Sequence, residues 1–212
     1  MAKALIFDFD GVLVLSECAR FHAIQQLAQR YDVEIHDELF KNIIGRTTND
    51  FFRLILPDLD QEILQKILND LQREYRDKIV DHVTPVAVTT DFIRTYNGNK
   101  KLAVASGSGI VVLETVLRHL GIFEKFSCIV GKEHVTKHKP DPEVYTQTAR
   151  QLGCSVQDCV VIEDTVVGAQ AALNAGMSVY VFLNGVNSTA EFDDLNVSGF
   201  LETTEQILKT IS

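Results

Sequence analysis

Two aspartates, Asp8 and Asp10, directly follow an apolar run near the start of the chain. Carboxylates so close to an apolar segment repel each other, and their burial is costly unless a cation or a hydrogen-bond donor compensates. Gly11 comes next and permits a sharp reversal of the chain. Because carboxylate oxygens suit Mg²⁺, one interpretation is a metal site, and the other is a turn with two solvated aspartates.

Other polar residues also follow apolar runs, later in the chain. Ser106 and Gly107 come directly after one run, and such a hydroxyl with backbone N–H groups can bind a phosphate. Glu163 and Asp164 come after another run, and Lys139 lies between these two groups. If these residues meet at one place, the carboxylates, the hydroxyl and the ammonium group suit Mg²⁺-assisted phosphoryl transfer.

Short apolar runs alternate with helical patterns, and these elements must position the polar residues. The runs are residues 4–7, 102–105, 128–130, 160–162 and 179–182, and helical patterns cover about 109–119, the stretch from 141 and about 166–175. Runs without strict alternation are typical of strands buried on both faces of a parallel sheet. The pattern predicts a Rossmann-like sheet, in which ligands collect beyond the carboxyl ends of the strands.

The first strand is followed by a long stretch without a further strand pattern. Residues 16–83 instead show helical faces, one of which carries Phe21, Ile24, Leu27, Ala28 and Tyr31. The sequence therefore predicts the α/β fold class, with a Rossmann-like parallel-sheet core formed by residues 1–15 and 84–212. The predicted core is interrupted by an inserted α-helical domain at residues 16–83.

Composition limits the class of protein further. The 212 residues are 46% hydrophobic and 23% charged, with a net charge of −9, which is typical of a globular protein. An acidic chain repels nucleic acid and anionic membranes, so we expect no nucleic-acid partner and no membrane partner. The four cysteines are scattered without a CxxC spacing, which predicts a reduced, cytoplasmic protein. Nothing in the sequence requires more than a monomer.

Four motifs, in chain order, resemble those of the haloacid dehalogenase (HAD) superfamily. DFDGVLVLSE at residues 8–17 resembles the first motif and VASG at 104–107 the second. KPDPEVY from Lys139 resembles the third, and VVIEDTVVGAQAALNAG from Val160 resembles the fourth. The resemblance covers essentially the whole chain. The insertion resembles the α-helical cap domain of the subgroup that contains phosphoglycolate phosphatases, sugar phosphatases and β-phosphoglucomutases.

The resemblance implies roles in phosphoryl transfer for five residues. Asp8 would be the nucleophile that forms an aspartyl-phosphate. Asp10 would be the general acid that protonates the leaving oxygen and then the base that activates water. The Ser106 hydroxyl and the Gly107 amide would bind phosphoryl oxygens, and Lys139 would hold the nucleophile and the phosphate together.

The resemblance also implies a Mg²⁺ site and a contact from the cap. Asp164 would ligate Mg²⁺ beside one Asp8 oxygen and the Asp10 carbonyl group. Glu163 would be either a further metal ligand or a residue that supports the ligands from behind. Related caps carry an Arg or Lys that reaches a substrate phosphate or carboxylate; Arg46 is the candidate here, and a solvated loop arginine is the alternative.

The main functional expectation is a Mg²⁺-dependent phosphatase that hydrolyses a small phosphorylated metabolite, such as a sugar phosphate, through an aspartyl-phosphate. The first alternative is a β-phosphoglucomutase-like phosphosugar mutase. Mutase caps carry a lysine shortly before the arginine, and Asn42 at the aligned position favours hydrolysis. The second alternative is a non-catalytic phosphometabolite-binding protein, which the intact pair of Asp8 and Asp10 disfavours.

Overall fold

The computed structural model describes residues 2–43, 46–78, 80 and 83–210, without the side chains of residues 72 and 75–78. The strands are β1 (Ala4–Phe7), β2 (Val14–Leu15), β3 (Thr84–Pro85), β4 (Lys101–Ala105), β5 (Cys128–Val130), β6 (Cys159–Glu163), β7 (Ser178–Phe182) and β8 (Gly199–Leu201). The α-helices are α1 (Glu17–Gln29), α2 (Thr48–Ile55), α3 (Gln61–Lys78), α4 (Ala87–Thr95), α5 (Ile110–His119), α6 (Glu143–Leu152), α7 (Val166–Asn174) and α8 (Thr204–Thr210). Within these ranges, no helix is both long and apolar enough to cross a membrane.

Six strands form one sheet in the order β5-β4-β1-β6-β7-β8. Every neighbouring pair is parallel. Counted in chain order within this sheet, the order is 3-2-1-4-5-6, which is the order of the Rossmann fold. The predicted α/β class and parallel sheet are therefore confirmed. The sequence pattern does not predict β8, whose apolar run is only Phe200 and Leu201, nor the two-residue strands β2 and β3.

The central strand β1 is buried on both faces, which explains its continuous apolar sequence. Ala4 and Ile6 belong to a core cluster that includes residues of α6 and α7. On the other face, the Phe7 ring lies 6.1 Å from the Phe92 ring of α4 and 6.4 Å from the Phe126 ring, measured between centroids. Helices thus cover both faces, as in other parallel sheets.

The chain divides into two compact units, Met1–Val14 with Pro85–Ser212 and Leu15–Thr84. The first unit contains the six-stranded sheet. The second unit contains α1, α2 and α3, and its own core is formed by aromatic and aliphatic side chains that include Phe21, Ile24, Phe51, Phe52, Leu64 and Ile67. The boundaries that we predict from the sequence differ by one residue at each end. Their assignment as a catalytic core and a cap stays a prediction.

A substitution of Ile6 tests the central position of β1, because the Ile6 side chain is fully buried in the core of the first unit. Ile6→Ala should lower the free energy of unfolding by about 2–5 kcal/mol, since the truncation leaves a cavity. Val111→Ala in α5 is the control, and this half-exposed side chain should change the value by less than about 0.5 kcal/mol. Urea unfolding followed by far-ultraviolet circular dichroism measures both, because the chain has no tryptophan. Equal effects of the two substitutions would contradict the central, buried position of β1 in the sheet.

Candidate active site

The carboxyl ends of β1, β4 and β6 bring the predicted site residues to one edge of the sheet. Phe7 pairs with Val104 of β4 and with Ile162 of β6, so the residues that follow these partners lie side by side. The Asp8 amide extends this pairing and donates to the Ile162 carbonyl oxygen at 2.9 Å. Ser106 follows β4 directly and is buried.

One lysine joins the acids from two of these strands. The Lys139 Nζ lies 2.8 Å from Asp8 Oδ1 and 2.7 Å from Glu163 Oε1. The side chains of Lys139 and Asp8 are 14% and 9% exposed, and that of Glu163 is fully buried, so water screens this ion pair little. The Tyr145 ring of α6 lies beside the ammonium group, with its centroid 5.0 Å from Nζ.

The hydrogen bonds of Glu163 indicate a supporting role for this carboxylate. Oε1 accepts from Lys139 and from the Tyr145 hydroxyl at 3.1 Å. Oε2 accepts from the backbone N–H groups of Asp164 and Thr165, each at 2.8 Å, and from the Thr165 hydroxyl at 3.0 Å. These bonds engage both oxygens and favour a supporting role over direct ligation of a metal, and the role of Glu163 stays a prediction.

Asp164 differs from Glu163 because only one of its carboxylate oxygens has a partner. Its Oδ2 accepts from the Asn184 side-chain amide at 3.0 Å, whereas its Oδ1 is buried without a hydrogen-bond partner. Gly11 lies against this carboxylate: a Cβ at that position would lie 1.8 Å from Asp164 Oδ2. Gly11 also has a φ of +79°, so the turn after Asp10 requires glycine for two reasons.

The loop after β4 connects to Asp10. The Ser108 hydroxyl donates to Asp10 Oδ2 at 2.7 Å, and the Ser108 amide donates to the Ser106 Oγ at 3.0 Å. Gly107 lies between the two serines and faces open space, because a Cβ there would meet no atom within 4 Å. The roles of Ser106 and Gly107 in phosphate binding stay predictions.

Arg46, the candidate phosphate contact of the cap, belongs to the second unit and is exposed. Its Nη1 donates to the Asn42 carbonyl oxygen at 3.2 Å. The Arg20 side chain of α1 donates to the carbonyl oxygens of Arg46 at 2.8 Å and of Ile43 at 2.9 Å, so it links both residues to α1. The contact of Arg46 with a substrate stays a prediction.

The electrostatics of the site indicate a deficit of positive charge. Burial raises the pKa of Asp8 to about 7, and the charges of Glu163 and Asp10 add to this effect, although Lys139 opposes it. Burial, Glu163 and Asp8 raise the pKa of Asp164 well above its usual value. Burial alone would lower the pKa of Lys139, but Asp8 and Glu163 outweigh it and keep the lysine charged. One ammonium group therefore does not compensate the buried acids.

A divalent cation fits this deficit. Asp8, Glu163 and Asp164 each offer a carboxylate oxygen, and these oxygens lie within 4.8 Å of one another. The set contains only oxygen donors, which Mg²⁺ prefers. Because the Glu163 oxygens already accept several hydrogen bonds, Asp8 and the unpartnered Asp164 Oδ1 are the best candidate ligands. The predicted contribution of the Asp10 carbonyl group stays a prediction.

The sequence analysis missed three residues that contact this site: Ser108, Tyr145 and Asn184. Asn184 is the first polar residue after β7, separated from Phe182 by Leu183, so the rule of polar residues after strands identifies it once it is applied to the run 179–182. Ser108 stands next to Gly107, and Tyr145 lies within the quoted motif KPDPEVY.

The chain matches the family described as "Haloacid dehalogenase-like hydrolase" over residues 5–182. It is 30% identical to the fructose-1-phosphate phosphatase YqaB of Escherichia coli over 177 residues, which cover 82% of this chain and 92% of the relative. It is 29% identical to the β-phosphoglucomutase of Bacillus subtilis over 184 residues, which cover 82% of this chain and 80% of the mutase.

The fold has close counterparts among solved structures. A protein of Bacteroides fragilis described as a haloacid dehalogenase-like hydrolase superposes with a TM-score of 0.85 at 22% identity. The superposition covers 98% of this chain and all of the other. At this identity, the likeness concerns the fold alone.

A substitution of Gly168 tests how closely α7 packs against the Glu163 carboxylate. A Cβ at this position would lie 1.6 Å from Glu163 Oε1. Alanine is otherwise the better helix former by about 1 kcal/mol, but this collision should make Gly168→Ala destabilising by about 1–3 kcal/mol.

Gly107→Ala is the matched control, because its Cβ meets no neighbour. We expect this change to be neutral or to stabilise the chain by up to about 1 kcal/mol. Urea unfolding measures both variants. A neutral effect of Gly168→Ala would contradict the packing described here.

Proposed function

Because the chain belongs to the haloacid dehalogenase-like hydrolase family, we propose that it is a Mg²⁺-dependent phosphatase of a small phosphorylated metabolite, with sugar phosphates as the favoured class. One observation carries the proposal: Lys139 pairs with Asp8 beside the unpartnered Oδ1 of Asp164. The proposed nucleophile, a cationic group and a candidate metal ligand therefore meet at the edge of the sheet where the strands have their carboxyl ends. Phosphoryl transfer requires these three groups together.

Asp8 is the nucleophile in this proposal. Its carboxylate attacks phosphorus, so that an O–P bond to Asp8 forms while the ester O–P bond breaks, and water then hydrolyses the aspartyl-phosphate. A carboxylate repels a phosphate group, and Lys139 reduces this repulsion because it lies 2.8 Å from Asp8 Oδ1. Glu163 and Tyr145 keep the lysine in place.

The remaining residues of the proposed site bind the phosphate and move protons. Asp10 protonates the leaving oxygen and then accepts a proton from the attacking water, and the Ser108 hydroxyl orients its carboxyl group. The Ser106 hydroxyl and the Gly107 amide bind phosphoryl oxygens. Mg²⁺, held by Asp8, Asp164 and the Asp10 carbonyl group, would neutralise charge on the phosphate.

The relatives support a phosphorylated carbohydrate as the substrate class. The Escherichia coli relative is described as a fructose-1-phosphate phosphatase, and the alignment covers most of this chain and most of the relative. Arg46 is the proposed contact of the cap with the substrate phosphate or with a second anionic group. A panel of sugar phosphates, compared by kcat/KM for released phosphate, tests the class.

A phosphosugar mutase is the second candidate, because the Bacillus subtilis β-phosphoglucomutase is similar over much of the chain. The two activities differ in whether water or a sugar hydroxyl accepts the phosphoryl group. Incubation with glucose 1-phosphate separates them: a phosphatase releases free phosphate, whereas a mutase yields glucose 6-phosphate. A non-catalytic binding protein would do neither.

The proposal includes a reduced, cytoplasmic environment and a monomer without nucleic-acid or membrane partners. Cys18, Cys128, Cys154 and Cys159 are all free thiols. Burial raises the pKa of Cys128 to about 11 and that of Cys159 to about 12, so both stay protonated and unreactive near neutral pH.

We expect Asp8→Asn to lower kcat by about 10³-fold or more, because the amide cannot act as the nucleophile. Removal of Mg²⁺ with EDTA should abolish wild-type activity, and added Mg²⁺ should restore it. Asp193→Asn is the control for an exposed aspartate of the same unit, and its kcat should stay within about twofold of wild type. Turnover by Asp8→Asn, or full turnover in EDTA, would contradict the mechanism.

Asp10→Asn separates the acid role from a structural one. General acid catalysis is worth about 10²–10⁴-fold, so phosphoenzyme formation from a sugar phosphate should fall by that range. Formation from p-nitrophenyl phosphate should fall much less, because p-nitrophenolate leaves without protonation. Rapid-quench measurement isolates this first step from hydrolysis of the phosphoenzyme, which also uses Asp10. An equal loss for both substrates would rule out Asp10 as the leaving-group acid.

A further inference from the structure

Asn184, in the loop after β7, joins the two loops that carry the proposed metal ligands. Its side-chain Nδ2 donates to the Gly11 carbonyl oxygen at 3.0 Å and to Asp164 Oδ2 at 3.0 Å. A primary amide has two N–H bonds, so these two acceptors use its full donor capacity. Asn184 thereby links the turn after Asp10 to the carboxylate after β6.

The local backbone determines which end of the Asn184 amide faces Asp164. Its Oδ1 accepts from the Val186 amide at 3.0 Å, so the nitrogen must point the other way. The Asn184 backbone N–H in turn donates to Asn187 Oδ1 at 3.2 Å, and Gly185 has a φ of +85°. This closed turn orients the side chain before any cation binds.

The two ends of the Asp164 carboxylate are therefore unequal. Asn184 holds Oδ2, and Oδ1 is left as the buried oxygen without a partner. An amide donor fixes the carboxylate without adding a positive charge, so Asp164 keeps its attraction for a cation. A lysine, such as Lys139 against Glu163, compensates the charge instead.

We propose that Asn184 is a positioning residue that orients Asp164 for Mg²⁺, an inference that rests on the proposed function. It acts through Asp164 and through the Gly11 carbonyl oxygen, and it does not touch the substrate. Residues that hydrogen-bond to metal ligands typically contribute about 10–100-fold to metal affinity, so we expect an effect of this size.

Asn187 offers a matched comparison. Its Nδ2 donates to the main-chain oxygens of Asp164 at 2.7 Å and of Phe182 at 2.9 Å, so it anchors the same loops without touching the carboxylate. Asn187→Ala removes these two bonds and the bond that Asn187 Oδ1 accepts from the Asn184 backbone N–H, but it leaves the contact of Asn184 with the carboxylate in place. Asn184→Ala removes the carboxylate contact, and Asn184→Leu removes it while keeping a side chain of similar size.

The experiment measures the Mg²⁺ dissociation constant of the full chain by calorimetry without substrate, and the Mg²⁺ dependence of kcat. Asn184→Ala and Asn184→Leu should raise the dissociation constant by about 10–100-fold. At saturating Mg²⁺, kcat should return to within about threefold of wild type, because the metal itself then holds Asp164. Asn187→Ala should raise the dissociation constant by less than about threefold, and urea unfolding in EDTA verifies that each variant folds.

An unchanged Mg²⁺ dissociation constant in both Asn184 variants would overturn the inference while leaving the phosphatase proposal intact. An equal rise in Asn187→Ala would also overturn it, because loop anchoring would then explain the effect. Absence of Mg²⁺ binding and of Mg²⁺-dependent activity in the wild-type chain would overturn the proposed function together with this inference.

Discussion

The ion pair of Lys139 with Asp8 and Glu163 is the interaction on which the site depends. Three buried charges from separate segments occupy one place, and each alone would be costly in an apolar environment. The arrangement persists because Glu163 is fully hydrogen-bonded, which makes it a fixed anion behind the lysine. The lysine is thus held charged between Glu163, whose oxygens accept several hydrogen bonds, and Asp8, the proposed nucleophile.

The order of the strands explains why the site forms where it does. β1 lies in the middle of the sheet with β4 on one side and β6 on the other, so the chain connections diverge there. At such a switch point the loops after adjacent strands separate and leave a crevice. Asp8, Ser106 and Asp164 follow the three strands that border this crevice, and Asn184 follows the next strand along.

The fold and the main acids follow from the sequence because they depend on local patterns. Unbroken apolar runs predict buried parallel strands, acids that follow such runs predict a polar edge, and the family resemblance is confirmed by the match over residues 5–182. The division of labour among the acids does not follow from the sequence. Glu163 and Asp164 are neighbours in the chain, yet one is saturated with hydrogen bonds and the other has an unpartnered oxygen. That difference depends on where Asn184 and the start of α7 lie in three dimensions.

The distance along the chain between the partners of the central ion pair has a consequence for biosynthesis. Asp8 and Lys139 are separated by 131 residues. Because the ribosome adds roughly 5–20 residues per second, about 7–26 s pass between the synthesis of Asp8 and that of Lys139. Contacts of such long sequence separation also slow folding, since a large loop must close before they form. During translation, β1 and its acids therefore remain without their final neighbours until most of the chain has emerged.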